Sequence, residues 1–573
     1  MEHLKAAWDE LTAPGAQFAM TDTEVFGNPM RVFTTAPPSM RFVWEMARGY
    51  GERDYIVYED ERMTYAEADA QVRSLAAELS GTYGVGRGDR VAIAMRNYPE
   101  WVVAYWATIC TGAAVVGMNA WWTTTEMEFG LADSRPKVLI ADRERLERVV
   151  PVLAGLRAVA PLAIIAVRAD GALVDGAVLW SDVVRPEAAP ADLPADVTDA
   201  DDDACIFYTS GTTGFPKGAQ LTHRGSISNL MNLVFWATAT GLAGVKAAVA
   251  EGREPPVPAV PAGGQAVYMA PTPLFHVTAN NCLLQPCTLS GGKIVFTYKW
   301  DPGRALELIE REHVTNFSGV PTMSRELLAH PDWPRRDTSS MLSLGGGGAA
   351  LQPDLVEKID HSLKGGVPST GYGLTETNGI VTANSAAFFV AKPSSCGPAM
   401  PTFDVRLVDE TGEVLPSGST GELCVKGPSV IRGYLNRPDA TADSIRSGWF
   451  NTGDVARIDD DGFIYIVDRT KDMVLRGGEN IYCSEVETVI YTNDAVAEAA
   501  VFGIPDERLG EEVGAAILLH PGATLTESDL KAFLAERIAK HKIPSKVWFL
   551  DAQIPRNANG KFVKRQLKTQ LGV

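Results

Sequence analysis

The sequence predicts an α/β chain in two unequal parts, residues 1–467 and 468–573, on three observations. Strand-like and helix-like runs alternate from 55 to 140, the pattern of a layered domain around a largely parallel sheet. Beyond residue 391 the texture changes to short strand-like runs, at 404–408 and 421–425, divided by Gly, Pro and Asp turns; this is a small β-rich subdomain. After 468 the chain restarts with its own apolar runs, at 486–491, 496–502, 513–519, 528–539 and 546–549. That is an α+β module of about a hundred residues, long enough to fold as a small C-terminal domain.

Taken in order, residues 1–20 carry early acids and no long apolar run, so no secretory signal is expected. Short runs at 56–58 and 63–65 read as a hairpin, 66–79 as a helix, and 90–95, 115–119 and 138–141 as strands. Between them, 98–112 is apolar over most of its surface and reads as a buried helix. The uncharged run 101–122 has the length to span a bilayer. Thr108, Thr111, Gly112, Gly117 and Asn119 interrupt it, and a buried helix followed by a strand suits it better. Residues 188–203, rich in Pro, Ala and Asp, form a solvated connector before the apolar strand 204–208. A helix follows at 222–236, then a Gly- and Pro-rich stretch, 241–265, expected as a surface insertion with no chemistry. Further strands are expected at 266–271, 293–297, 314–320 and 342–348, the last ending in four glycines, with a helix at 302–313.

The bulk properties narrow the function. A formal charge of −19 argues against a general nucleic-acid or anionic-membrane surface. Any phosphate ligand must therefore be held by local donors and a few placed cations. Seven scattered cysteines form no Cys-x-x-Cys pair, which suggests neither a zinc site nor a disulfide framework and fits a reducing, cytoplasmic compartment.

The strongest chemical signal is 208–218, Tyr-Thr-Ser-Gly-Thr-Thr-Gly-Phe-Pro-Lys-Gly, directly after a buried strand. Its glycines let successive backbone N–H groups point inward as an anion nest, its hydroxyls add donors, and Lys217 adds a charge. It is a phosphate cradle without the spacing of the usual P-loop; a flexible linker is the bland alternative. In 369–378, Tyr372 lies between Gly371 and Gly373, leaving a ring face open for a base, and Thr375 and Glu376 offer oxygens suited to Mg²⁺ bound through phosphate. In 449–456, Asp454 follows a glycine turn and can accept both hydroxyls of a ribose, although Gly-Asp is also common turn chemistry. In 468–487, where the second domain begins, Arg469 could reach nucleotide, Lys471 would sit at a hinge, and Gly477 and Gly478 form a bend without side chains; taken alone, the stretch reads as a charged, solvated linker. Lys561 follows Gly560 on a turn near the end of the sequence; alone it reads as a solvated lysine.

Together the ordered signatures 208–218, 273–276, 371–377, 449–454, 468–487 and 559–561 closely resemble the adenylate-forming superfamily of acyl-CoA synthetases, carrier-protein adenylation domains and luciferases. The resemblance spans 64–564 and implies a large adenylate-forming domain followed by a mobile small one. It implies that Thr209, Ser210, Gly211, Thr212, Thr213, Gly214 and Lys217 cradle the β- and γ-phosphates of ATP. Gly347, Gly348, Ala349 and Tyr372 with Gly373 would flank adenine, and Asp454 with Arg469 the ribose. Thr375 and Glu376 would face the α-phosphate, with Mg²⁺ on Glu376 and Thr212. Lys561 would reach the carboxylate and the α-phosphate. Lys471 would be the hinge, and Gly477–Gly478 would line the path of pantetheine.

Pro273–His276 chooses the branch. Amino-acid-activating members place an aspartate in this region; His276 stands there instead, as in branches that activate fatty or aryl acids, where it gates the pantetheine path or orients the carboxylate. With no carrier domain after Lys561, CoA is the expected acceptor. Residues 476–487 resemble the fatty acyl-CoA synthetase version, and Leu475 stands where luciferase and plant aryl-CoA versions carry lysine. One departure is Asn280, followed by Asn281, where some long-chain members have an aromatic gate. These amides either hydrogen-bond a medium-chain, aryl-alkanoic or ring-bearing acid, or bond locally to backbone. The expected reaction is ATP-dependent ligation of a carboxylic acid to CoA, with ATP, Mg²⁺, CoA and the acid as ligands. A free-standing acyl-AMP ligase loading a carrier protein is the alternative. A homodimer is compatible with the sequence. A non-catalytic binding protein is disfavoured by the intact set Lys217, Glu376, Asp454 and Lys561.

Overall fold

Two large sheets carry most of the chain. In the computed structural model, residues 172–173, 210–215, 255–263, 470–471, 477–478 and 558–559 are outside the description; all others are described. The first sheet has seven strands, in the order Lys217–Thr222, Asp203–Thr209, Ala114–Gly117, Arg90–Ala94, Val138–Asp142, Ala163–Val167, Ala177–Leu179. All its neighbours are parallel except the first pair, a hairpin whose register sets Thr209 opposite Lys217. The second has eight, in the order Gly379–Ser385, Val367–Leu374, Ser343–Gly347, Asn316–Gly319, Val267–Ala270, Lys293–Phe296, Asp54–Tyr58, Glu61–Thr64. Its interior is parallel and both end pairs are antiparallel. A six-stranded antiparallel sheet follows, from Gly397–Pro398 to Phe463–Arg469, and a five-stranded sheet begins at Val474–Arg476.

Local chemistry explains the placement of the helices. Tyr65–Gly81 starts on a capping box in which Thr64 and Glu67 satisfy each other's backbone N–H, the usual N-terminal lock. Pro99–Cys110 opens on proline at its first turn and is buried at every position but Glu100. The run 101–122 is thus this core helix and the strand Ala114–Gly117, as the interrupting polar residues suggested. Trp44, Trp101, Trp106, Tyr55, Tyr65 and Tyr105 fill the space between that helix and its neighbours.

The stretch 241–265 departs from expectation. The helix expected over 222–236 runs as His223–Ala250, so residues 241–250 are helical rather than a surface insertion; 255–263 lie outside the described residues. The sequence there is Ala-rich, and alanine is the strongest helix former. By length and composition this helix could cross a membrane, yet Ile227, Leu230, Phe235, Ala239 and Ala243 pack it into the main core. All seven cysteines are free thiols, and Cys110, Cys205, Cys287, Cys424 and Cys483 are buried.

The C-terminal strand ends of both large sheets open toward the same region. Asp203–Thr209 ends at the phosphate loop, Ser343–Gly347 at the glycine run, and Val367–Leu374 at Thr375–Thr377. Ligands of open α/β sheets bind at such ends.

Candidate active site

The ends of the phosphate loop are pinned. Thr209 and Lys217 are register partners, and the Thr209 hydroxyl donates to the Lys217 carbonyl at 3.5 Å. Of the cradle residues, Thr209 and Lys217 are placed; Ser210, Gly211, Thr212, Thr213 and Gly214 lie outside the described residues. The Lys217 ammonium sits 4.8 Å above the centre of the Tyr434 ring. That ring is held beside it because Ala219 bridges Tyr434 and Leu435 N–H donates to the Gly218 carbonyl.

Tyr434 also reaches the second motif. Its hydroxyl donates to Glu376 Oε1 at 2.9 Å, so one tyrosine links the phosphate-loop lysine to the acid of the Thr375–Thr377 turn. Burial and the Glu376 charge both push the Tyr434 hydroxyl far above its ordinary pKa, which keeps it a donor. The turn is set by Asn378 in the left-handed region, φ 56°, whose side chain is anchored to the Ser429 carbonyl and the Ser226 hydroxyl. Tyr434 had no motif to announce it. Its partners are 58 and more than 200 positions away.

Tyr372 and Asp454 form the third contact. The Tyr372 hydroxyl donates to Asp454 Oδ2 at 2.7 Å, while Arg469 Nε lies 3.2 Å from Asp454 Oδ1. The antiparallel pairing of Trp449–Ile458 with Phe463–Arg469 makes Asp454 and Arg469 direct cross-strand partners. Asp454 is buried, which raises its pKa against the pull of Arg469 and the Tyr372 hydrogen bond. Close by, Gly347 pairs with Gly371 across the sheet. A Cβ on Gly373 would strike the Gly379 carbonyl oxygen at 1.7 Å, so this strand crossing admits only glycine. Ala349 is exposed at the rim.

Lys561 enters the same space from the end of the chain. Its N–H donates to Asn557 Oδ1 at 3.0 Å, and Asn557 N–H returns a bond to its carbonyl. Arg556 fastens this end of the chain to the main body through Thr322 at 3.1 Å, and Gly560 packs against Val320. The side chain passes over Gly348, where an added Cβ would meet Lys561 Cε at 3.3 Å. Burial first, then Arg469, lowers the Lys561 pKa to about 8, against the opposing pull of Asp454 and Glu376. Burial, and then the Lys561 charge, lower His276 to about 3, so its imidazole is neutral near pH 7. Lys561 therefore lies against Gly348 and within electrostatic reach of Glu376, Asp454, Arg469 and His276, although the sequence spreads them over almost 300 positions. The hinge candidates Lys471, Gly477 and Gly478 lie outside the described residues.

The donor set suits a metal brought in by its nucleotide. Glu376 offers one carboxylate, and Mg²⁺ is commonly held by one or two carboxylates plus phosphate and water. Among the described residues, no three His, Cys, Asp or Glu side chains gather as a cage. Thr212, the other expected contact, is outside the description.

Fold and cleft together define a nucleotide-using, adenylate-forming enzyme. A family model described as AMP-binding enzyme matches residues 43–435, and one described as AMP-binding enzyme C-terminal domain matches 485–561. A feruloyl-CoA synthase from Amycolatopsis sp is 36% identical over 514 residues, covering 89% of this chain and 94% of its own. A 3-[(3aS,4S,7aS)-7a-methyl-1,5-dioxo-octahydro-1H-inden-4-yl]propanoyl:CoA ligase from Rhodococcus jostii (strain RHA1) is 32% identical over 546 residues, covering 94% and 99%. Among solved structures, ATP-bound MatB from Rhodopseudomonas palustris aligns with a TM-score of 0.78 at 30% identity, over 93% of this chain and 99% of that one. The chain belongs to the AMP-binding enzyme family, within its AMP-forming acid–CoA ligases.

Proposed function

We propose that this enzyme joins a fatty or aryl/alkyl carboxylic acid to CoA in two half-reactions, with Lys561 as the residue that drives the first. The observation that carries this reading is the delivery of Lys561 into the cleft of Asp454, Glu376 and Gly348. In the first half-reaction a carboxylate oxygen attacks the α-phosphorus of ATP, and the bond to the bridging oxygen of pyrophosphate breaks. Two anions approach each other in that step, so a positive group between them lowers the barrier most where water is excluded. Lys561 supplies that charge. Lys217 and the loop it closes hold the departing pyrophosphate, Asp454 and Arg469 hold the ribose, and Tyr372 presents a ring face to adenine. Mg²⁺, held by Glu376 and Thr212, would neutralise phosphate charge when bound.

In the second half-reaction the CoA thiolate attacks the acyl carbonyl carbon, the carbon–oxygen bond to phosphate breaks, and AMP leaves. Lys561 is no longer needed there. Residues 468–573 are proposed to turn as a small domain about Lys471, withdrawing Lys561 and bringing Gly477 and Gly478 to the pantetheine path. Neutral His276 beside the reacting end orients the carboxylate or borders that path. The relatives named above act on a feruloyl acid and on a ring-bearing propanoyl acid, so ring-bearing acids are the first class to try. Seven unpaired thiols support a cytosolic setting.

A coupled AMP-release assay over acids of graded length and shape, run with and without CoA, tests the reading. CoA-dependent turnover is expected. AMP release indifferent to CoA but dependent on a carrier protein would replace this function with carrier loading.

A further inference from the structure

Residues 276–285 hold an unusual set of atoms. Five of their side-chain nitrogens and oxygens are buried with no hydrogen-bond partner: His276 Nε2, Asn280 Nδ2, both amide atoms of Asn281, and Gln285 Oε1. The described residues contain eighteen such atoms in all, so this one short segment is strongly enriched. Native interiors leave few, because each unpaired amide forfeits the hydrogen bonds it had in water. Asn280, Asn281 and Gln285 are each fully buried.

What these amides do bond is mostly side chain. Gln285 Nε2 donates to Asn280 Oδ1 at 3.2 Å and to the Tyr105 hydroxyl at 3.0 Å. Local bonding of the two asparagine side chains to backbone, one of the two readings of the sequence, is not what they make. The segment winds as a π-helix over Asn280–Leu284, a rare form frequently found at functional sites. Its wider turn brings Asn280 and Gln285 into contact. A polar column results, starting at His276 beside Lys561 and descending through Asn280 and Gln285 to Tyr105 on the core helix Pro99–Cys110.

The column is neutral. No Asp, Glu, Lys or Arg occurs from 271 to 292, and Tyr105 and Asn229, which donates to the Asn281 carbonyl at 3.1 Å, are uncharged. A second carboxylate or an ammonium on the acid would find no counter-charge here, whereas a hydroxyl or ketone oxygen would find both donors and acceptors.

We propose that Asn280, Asn281 and Gln285 select acids bearing a neutral oxygen, hydroxyl or ketone, on the part remote from the carboxylate. Lying four to nine residues along the helix from His276, at about 1.5 Å per residue, they would meet that oxygen roughly 6–13 Å from the carboxyl carbon. The inference rests on the acid–CoA ligase reading above. A site built to bond a substrate oxygen rejects the analogue lacking it, because its own amides are then left unpaired.

The test uses the intact enzyme and matched pairs of acids, each a ring-bearing hydroxy or keto acid and its deoxy counterpart, with CoA-dependent AMP release as readout. The oxygenated member is expected to have a kcat/KM about 10- to 100-fold higher, the span of one or two such bonds. In Asn280→Leu and in Gln285→Met that ratio is expected to fall towards one. A wild-type ratio near one overturns the inference without any variant being needed. So does a ratio that stays high in variants with wild-type thermal unfolding, since the amides would then be structural. Absence of CoA-dependent release with every acid would sink the ligase reading itself, a separate outcome.

Discussion

Tyr372 donates its hydroxyl hydrogen to Asp454 over 2.7 Å, joining a strand of the eight-stranded sheet to one of the six-stranded sheet. The bond fixes the plane of a ring expected to stack on adenine and the carboxylate expected to hold ribose. Tyr372→Phe keeps the ring and removes the bond. Since such a bond contributes roughly 1 kcal/mol, KM for ATP is expected to rise about fivefold to tenfold, with kcat less affected. Initial-rate kinetics against ATP measure this, and an unchanged KM would remove the pair from the nucleotide site.

Gly348 lies under Lys561 with φ at 84°. Gly348→Ala brings a Cβ to 3.3 Å from Lys561 Cε and places an L-residue in the left-handed region, at a cost of roughly 1 kcal/mol. Pyrophosphate exchange, which reports the adenylation half-reaction alone, is expected to fall. Capture of supplied acyl-adenylate by CoA is expected to fall less.

The lowered pKa of Lys561, about 8, gives a pH profile with a definite sign. Below that value the ammonium is charged and able to offset the meeting of carboxylate and phosphate; above it the charge is lost. In free enzyme the kcat/KM for ATP is therefore expected to fall as pH rises through about 8. Lys561→Arg, whose guanidinium stays charged to beyond pH 12, is expected to lose that fall whatever its absolute rate. A wild-type profile flat from pH 7 to 9.5 would show that the lysine charge is not limiting.

Much of this cleft was readable because its chemistry is local. Glycines, hydroxyls and one lysine between 208 and 218 announce an anion nest by composition; of that stretch the hairpin register sets Thr209 against Lys217, and 210–215 lie outside the described residues. The alternation over 55–140 likewise announced a layered α/β fold. Its sheet order was not legible, since Asp54–Tyr58 pairs with Lys293–Phe296 far along the chain and outside the first sheet. Tyr434 is silent in the sequence for the same reason: its meaning comes from Lys217 and Glu376, not from its neighbours. Residues 241–265 differ from expectation for another reason. Proline and glycine at 255–263 coloured the whole window, while Ala243, Ala247, Ala248 and Ala250 upstream continued the helix.

The role of Lys561 is decided most directly by measuring the two half-reactions of Lys561→Ala separately. Acid-dependent exchange of pyrophosphate into ATP follows the first, and thioester formation from supplied acyl-adenylate and CoA follows the second. Near-complete loss of exchange, with thioester formation kept within a few-fold of wild type, is expected if the lysine serves adenylation alone. Equal loss of both half-reactions, or exchange that survives, would contradict it.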